Sequence, residues 1–407
     1  MTVRENRPPS VMAAEMGYGH LRAGQSLADA FGCGLLRADG HPLAALDERS
    51  LWLWLRAVHN GVSQLSRLRG RPGDAMRWVM DTITMIEPLH VRADQSAPDR
   101  AVRSLDALIG RGMGRGLVEY LHQSGTPLLT TFYAIAVIAD RAGLDGIYCV
   151  PTDADIHRVW APVDGSSTRI RYLAPSSRVV RRLQAYGVPE QRIRMTGFPL
   201  PLELLGEPDL EIARRNLARR LLRLDPRGVF HDLHRHEVER MVGLPSRDAA
   251  EEPPLLTFAV GGAGAQTEMV DVFLPSLRDR LRADGLRLTL VAGTRPEVHA
   301  ALERSVERAG LDGLLGSGIR ILFEPEFEGY YRRFNQLLAE TDVLWSKPSE
   351  LSFYAALGIP LVLSKPLGAH ERFNRRWLRE IGAGFKQRSP VFVGGWLQEW
   401  LHDGTLA

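Results

Sequence analysis

Short apolar runs alternate along most of this chain with longer stretches whose apolar positions recur every three or four residues, which predicts strands followed by helices. Ser10 to Met16 reads as a strand, Gly17-Tyr18-Gly19-His20 as a turn, and the next stretch as a helix with Leu21, Leu27 and Phe31 on one face. Strand Pro127 to Thr131 and helix Phe132 to Arg141 repeat the unit, and strands follow at Gly146 to Pro151, Arg171 to Ala174 and Arg192 to Thr196. The pattern restarts after Pro254. Strands are expected at Leu255 to Val260, Leu286 to Ala292, Ile319 to Phe323, Asp342 to Trp345 and Pro360 to Ser364. Helices are expected from Thr267, from Glu297, around Tyr330 to Ala339 and at Ser349 to Leu357, with the turn Gly261-Gly262-Ala263-Gly264 after the first of these strands. Alternation of this kind implies parallel sheets covered on both faces, and a glycine turn after the first strand of each half makes both halves Rossmann-like.

At about 150 residues per domain, 407 residues make two to three domains. We expect an N-terminal domain at 1–200, an interdomain helical segment at 201–253 dense in arginine, glutamate and histidine, a second domain at 254–385, and a C-terminal helix at 386–407 that packs back. With 44% hydrophobic and 24% charged residues the composition is that of a globular protein. The two cysteines, Cys33 and Cys149, exclude a disulfide scaffold and a cysteine zinc site. With no charged-then-apolar leader before Ser10, they point to a reducing cytoplasm. Basic residues (51) nearly match acidic ones (48), so no nucleic-acid partner is expected. The apolar run Pro127 to Ala139 falls short of the roughly 20 residues that cross a bilayer. Between Leu46 and His90, Trp52, Trp54 and Trp78 lie among leucines and arginines. Packing in the first domain is the favoured reading, and an amphipathic surface touching a membrane is the other.

Chemistry concentrates at the strand ends. A glycine turn between strand and helix lets backbone amides approach a phosphate, and Gly261, Gly262 and Gly264 supply one. Trp345 to Leu351 leaves a strand and enters a helix with Pro348 near its first position, where proline is favoured. There Glu350 either accepts hydrogen bonds from ribose hydroxyls or complements the helix dipole. Lys365 to Asn374 reads as a polar loop before a helix that restarts at Arg375. Pro151 to Trp160 groups Asp153, Asp155, His157 and Trp160 just after a strand, where open sheets place ligands. Asp153 and Asp155 have the form of a metal-binding Asp-x-Asp, but a tripeptide is thin ground and no metal is expected. His20, on the first glycine turn, is a candidate general base or else a helix cap. His231-Asp232-Leu233-His234-Arg235-His236 has a metal-tract composition and reads as a solvated helix face.

These stretches resemble the GT-B glycosyltransferases related to monogalactosyldiacylglycerol synthase, processive diacylglycerol glucosyltransferases and the peptidoglycan lipid-intermediate glucosaminyltransferase. Gly17-Tyr-Gly-His20 with Ala23-Gly-Gln-Ser-Leu27 is similar to that family's opening. Thr152-Asp153 with His157 and Trp160, then Gly187-Val-Pro and Thr196-Gly-Phe-Pro199, resembles its middle block. Gly261 to Gly264, Trp345 to Pro360 and Gly368 to Asn374 resemble its donor motifs.

The resemblance implies a GT-B fold of two Rossmann-like domains facing a central crevice. It also implies a nucleotide-sugar donor, usually UDP-linked, used as substrate with no cofactor or metal, and transfer with inversion. It places Gly261, Gly262, Gly264, Thr294, Phe327, Lys347, Ser349, Glu350, His370, Glu371 and Asn374 on the donor side. Gly17, Gly19, Asp155, His157 and Trp160 fall on the acceptor side, with His20 first and Asp153 second as the base. The acceptor would be a lipid or a small natural product, and lipid-modifying relatives touch the cytoplasmic face of a membrane. This chain departs from the pattern at two donor positions. Tyr354-Ala355-Ala356 stands where the ribose glutamate is usual, leaving Glu350 as substitute, and Ala369-His370-Glu371 replaces Gly-Gln-Glu. The alternatives are a nucleotide-sugar 2-epimerase or hydrolase on the same fold, and a nucleotide-sugar-binding protein without activity.

Overall fold

The computed structural model describes residues 7–45, 47–55, 86–89, 94–206, 208–243, 252–260, 266–366 and 369–407. They form two compact units, one of residues 1–201 with 367–374, the other of 202–366 with 375–407. Each unit holds a six-stranded sheet in which every pairing is parallel.

In the first unit the strands are β1 (Ser10–Ala13), β2 (Leu36–Arg37), β3 (Leu128–Thr130), β4 (Ile147–Cys149), β5 (Arg171–Ala174) and β6 (Ile193–Met195). Their order is β2-β1-β3-β4-β5-β6, so the winding reverses between β1 and β3. Met12 stands opposite Thr130 in that pairing. Ser10–Ala13 is buried at all four positions, as a strand covered on both faces must be. Helix α1 (Tyr18–Ala30) follows β1 and buries Leu21, Ala23, Gly24 and Ala28. Phe31, expected on its inward face, caps the helix and is 51% exposed, because the buried stripe is built from small residues instead. Trp52 is buried in this core and Trp54 is half exposed, while Trp78 lies outside the described residues.

In the second unit the strands are β7 (Leu255–Ala259), β8 (Arg287–Gly293), β9 (Ile319–Phe323), β10 (Val343–Ser346), β11 (Leu361–Leu363) and β12 (Gly384–Lys386). The order β12-β11-β10-β7-β8-β9, counted from this unit's own first strand, is the 3-2-1-4-5-6 of a dinucleotide-binding fold. Phe258, Phe273, Trp345 and Trp396 form one aromatic cluster with ring centroids 4.8–5.7 Å apart. Trp396 comes from the C-terminal helix Val393–His402, which packs so closely that a side chain at Gly394 would collide with the Ser276 carbonyl. Helix Glu211–Leu224 also belongs here: the buried Arg220 guanidinium donates to the carbonyls of Thr341 (2.8 Å) and Leu357 (2.7 Å).

The helix expected at Ser349 to Leu357 is present, wound as the 3-10 helix Glu350–Leu357. One expectation is corrected. Helix α2 (Ala369–Glu380) starts six residues before Arg375, so His370, Glu371 and Asn374 are on a helix and not in a loop. Its inward positions are Glu371, Asn374 and Leu378, and two polar residues in that stripe hide the helical period. The edge strands β2 and β12 were not anticipated, being only two and three residues long. Among the described residues no helix is long and apolar enough to cross a membrane. The tract at His231 lies on helix Val229–Met241, exposed from Asp232 to Glu237.

Candidate functional site

Open parallel sheets bind ligands outside the carboxyl ends of their strands, where the winding reverses. In the first unit that place lies after β1 and β3. Gly17 takes a φ of 118°, a conformation that glycine adopts readily, and turns the chain from β1 into α1. Gly19 and His20 then sit in the first turn of α1, with His20 half-buried.

Two hydrogen bonds tie His20 to Thr131. Its Nδ1 lies 2.7 Å from the Thr131 carbonyl oxygen, and the Thr131 hydroxyl donates to the His20 carbonyl at 2.7 Å. A carbonyl only accepts, so Nδ1 carries the proton in the neutral ring and Nε2 holds the basic lone pair. Thr152 Oγ1, on the turn after β4, stands 3.3 Å from the same Nδ1. Phe132 meets the imidazole edge-on at 4.9 Å and Trp160 lies 6.2 Å away. Tyr133 packs against both aromatic rings, and burial pushes its phenol up to about 12. A histidine with a fixed tautomer, seated on a threonine carbonyl at a sheet's switch point, can take a proton from a hydroxyl.

The turn after β4 is pinned residue by residue. Asp153 Oδ1 accepts from Asn374 Nδ2 at 3.0 Å, and Ala154 N donates to Asn374 Oδ1 at 2.8 Å. Asp155, whose side chain is fully buried, accepts from Arg178 (2.6 Å) and from two nitrogens of Arg182 (both 2.9 Å). Both of its oxygens are thus committed to guanidinium groups. His157 accepts from Val159 N through Nδ1 (3.3 Å) and faces Asp99 through Nε2 (3.3 Å), and burial holds its pKa below the ordinary histidine range against the pull of Asp99. Trp160 is buried, with its carbonyl accepting the Tyr172 hydroxyl at 2.7 Å. Among the described residues no three of His, Cys, Asp and Glu gather as a metal ion requires.

In the second unit the reversal lies between β7 and β10. Gly261, Gly262 and Gly264 fall outside the described residues. The Ser346 hydroxyl reaches the Ala259 carbonyl at 3.3 Å, tying together the ends of the two strands that flank the reversal. Lys347 follows β10 and is 7% exposed, and Ser349 and Glu350, both half-buried, lead into the 3-10 helix. Tyr354 is buried against Phe334. Thr294 follows β8, and Phe327 opens helix Phe327–Glu340, its ring 6.2 Å from Tyr331. The buried hydroxyls of Ser352 and Ser364 have no hydrogen-bond partner among the described residues. Neither stands out in the sequence, since a serine carries little signal of its own.

His370, Glu371 and Asn374 belong to the first unit. His370 is exposed, Glu371 is buried, and Asn374 is wholly buried with its amide engaged as described. The roles of Thr131 and Asn374 toward the first unit were also missed; only the contact across 111 and 221 residues reveals them.

No family model matches this chain, and no curated protein matches it. Among solved structures it resembles the UDP-GlcNAc 2-epimerase from Neisseria meningitidis bound to UDP-GlcNAc, at 11% identity over 79% of this chain and 78% of that one, with a TM-score of 0.44. It also resembles a glycosyltransferase from Rickettsia africae, at 10% identity over 96% and 86%, TM-score 0.38. A third likeness is an Anabaena protein in complex with UDP and glucose, at 12% identity over 82% of each chain, TM-score 0.39.

Proposed function

We propose that this protein is an inverting GT-B glycosyltransferase that moves a sugar from a nucleotide diphosphate, expected to be UDP, to a hydroxyl acceptor. The observation that carries the reading is the seat of His20. With Nδ1 held by the Thr131 carbonyl, Nε2 is the nitrogen that takes the acceptor proton as the oxygen attacks the anomeric carbon. The sugar–phosphate bond breaks as the new glycosidic bond forms, and the nucleotide diphosphate leaves. The dinucleotide-type strand order of the second unit supports a nucleotide at the ends of β7 and β10. There Lys347, the turn at Ser349 and the hydroxyls of Ser352 and Ser364 would meet the diphosphate, and Glu350 the ribose.

The reaction as proposed uses no metal ion. An Asp-x-Asp grip on a cation needs both carboxylates, and Asp155 is committed to Arg178 and Arg182. The acceptor is a lipid or a small natural product.

The test is incubation of the protein with UDP-sugars, with and without a panel of lipid and small-molecule alcohols. Acceptor-dependent release of UDP with a new glycoside is the expected result. Epimerised or hydrolysed sugar from donor alone would replace the transferase with the epimerase or hydrolase, and binding without turnover across the panel would leave a nucleotide-sugar-binding protein.

A further inference from the structure

The resemblance to known glycosyltransferases puts Asn374 on the donor, but its amide is used elsewhere. We infer that Asn374 is a positioning residue for Asp153, holding that carboxylate ionised and fixed in direction beside the seat of His20. The inference deepens the proposed function and rests on its placing of proton transfer at His20, which the turn carrying Asp153 touches through Thr152.

The amide orientation follows from its partners. Ala154 N is a donor, so Asn374 Oδ1 must face it at 2.8 Å, and Nδ2 is left to donate to Asp153 Oδ1 at 3.0 Å. Asn374 is fully buried, where an amide must use its hydrogen bonds or carry the cost of losing water. An N–H donor aimed at a carboxyl oxygen favours the carboxylate over the acid.

The neighbouring bonds make the turn a rigid frame. The Ser176 hydroxyl donates to the Ala154 carbonyl at 3.0 Å, so both backbone groups of Ala154 are held by side chains. Arg178 lies over the Phe373 ring at 5.1 Å while it binds Asp155. Asn374 and Phe373 therefore grip two ends of the turn whose first residue, Thr152, touches His20. The charged and titratable groups on the elements that meet this turn include His20 on α1, Asp155 and His157 on the turn, and Arg178, Arg181 and Arg182 on helix Ser177–Ala185. His370, Glu371 and Arg372 lie in the first turn of α2.

The test needs no substrate. Aspartate carboxylates labelled with carbon-13 are titrated by NMR in the full chain, and the signal of residue 153 is the one that disappears in Asp153→Asn. Asn374→Ala is expected to raise its midpoint by about half a pH unit, the effect of one lost hydrogen bond. Asn374→Asp places two carboxylates in contact and should raise it by about one unit or more. A midpoint within about 0.2 units of the wild type in both folded variants, well under the shift one hydrogen bond gives, overturns the inference.

The exchange variant Asp153→Asn with Asn374→Asp trades donor for acceptor, so it should regain the thermal midpoint that Asn374→Asp alone loses. Failure to regain it also overturns the pair. A wild-type protein that binds no nucleotide would remove the transferase and leave these titrations as they are.

Discussion

His20 and Thr131, 111 residues apart, exchange two hydrogen bonds of 2.7 Å each, side chain to carbonyl in both directions. The exchange binds the first turn of α1 to the end of β3 across the point where the sheet's winding reverses. It also converts a histidine that could have capped its helix into one whose tautomer is set from outside.

His20→Ala should therefore cut transfer by about 10² to 10⁴, the range a general base contributes. UDP affinity should stay within about twofold, a difference under about 0.5 kcal/mol, because the proposed nucleotide site lies in the other unit. Steady-state rates and calorimetric titration measure the two separately, and a parallel loss of both would count against a proton-transfer role.

Glu350→Ala tests the donor side. Glu350 opens the 3-10 helix that follows β10. If its carboxylate receives ribose hydroxyls, the variant should weaken UDP at least about tenfold, near 1.4 kcal/mol. Calorimetry with UDP, ADP, GDP and dTDP on both proteins gives nucleotide preference as well. Equal UDP affinity in the two would return Glu350 to the bland role of complementing a helix end.

How far the sequence revealed the molecule depends on whether the relevant spacing was local. Ser10–Ala13, Leu128–Thr130 and Leu255–Ala259 lie within expected strands because buried parallel strands are continuous apolar runs. The second sheet's order was not legible, since nothing in Trp345 announces that it will lie opposite Phe258. His20 stood out because it is a titratable side chain on a glycine turn at a strand end. Thr131 did not, being one more apolar-flanked threonine. Asn374 was seen, but its destination was not, because the polar stripe of α2 disguised the helix that carries it to Asp153.

Asp155→Ala should destabilise the first unit by about 3–5 kcal/mol, since it leaves buried guanidinium groups without their carboxylate. Arg182 is fully buried at its side chain and, among the described residues, also donates to the Glu87 carbonyl and to Gln95, both at 2.9 Å. Urea unfolding followed by fluorescence reports the loss. A change under about 1 kcal/mol, the range of an exposed pair, would mean that water reaches the cluster in solution.

Acid should destabilise the protein through His157, and the sign follows from two observations. Burial lowers its pKa below the ordinary value of 6.5, with Asp99 opposing, and its Nδ1 must keep a lone pair to accept from Val159 N. Between the lowered native pKa and 6.5 the unfolded chain takes up a proton that the native state refuses, so stability falls as pH drops through 6.5. Below the native value both states are protonated and this contribution levels off. His157→Gln keeps a hydrogen-bond acceptor but cannot titrate, so it should lose the part of the acid slope that begins near 6.5. Thermal midpoints of the two proteins from pH 8 to pH 5 make the comparison. Parallel curves would show that His157 protonates as readily folded as unfolded, and that Asp99 fully offsets burial.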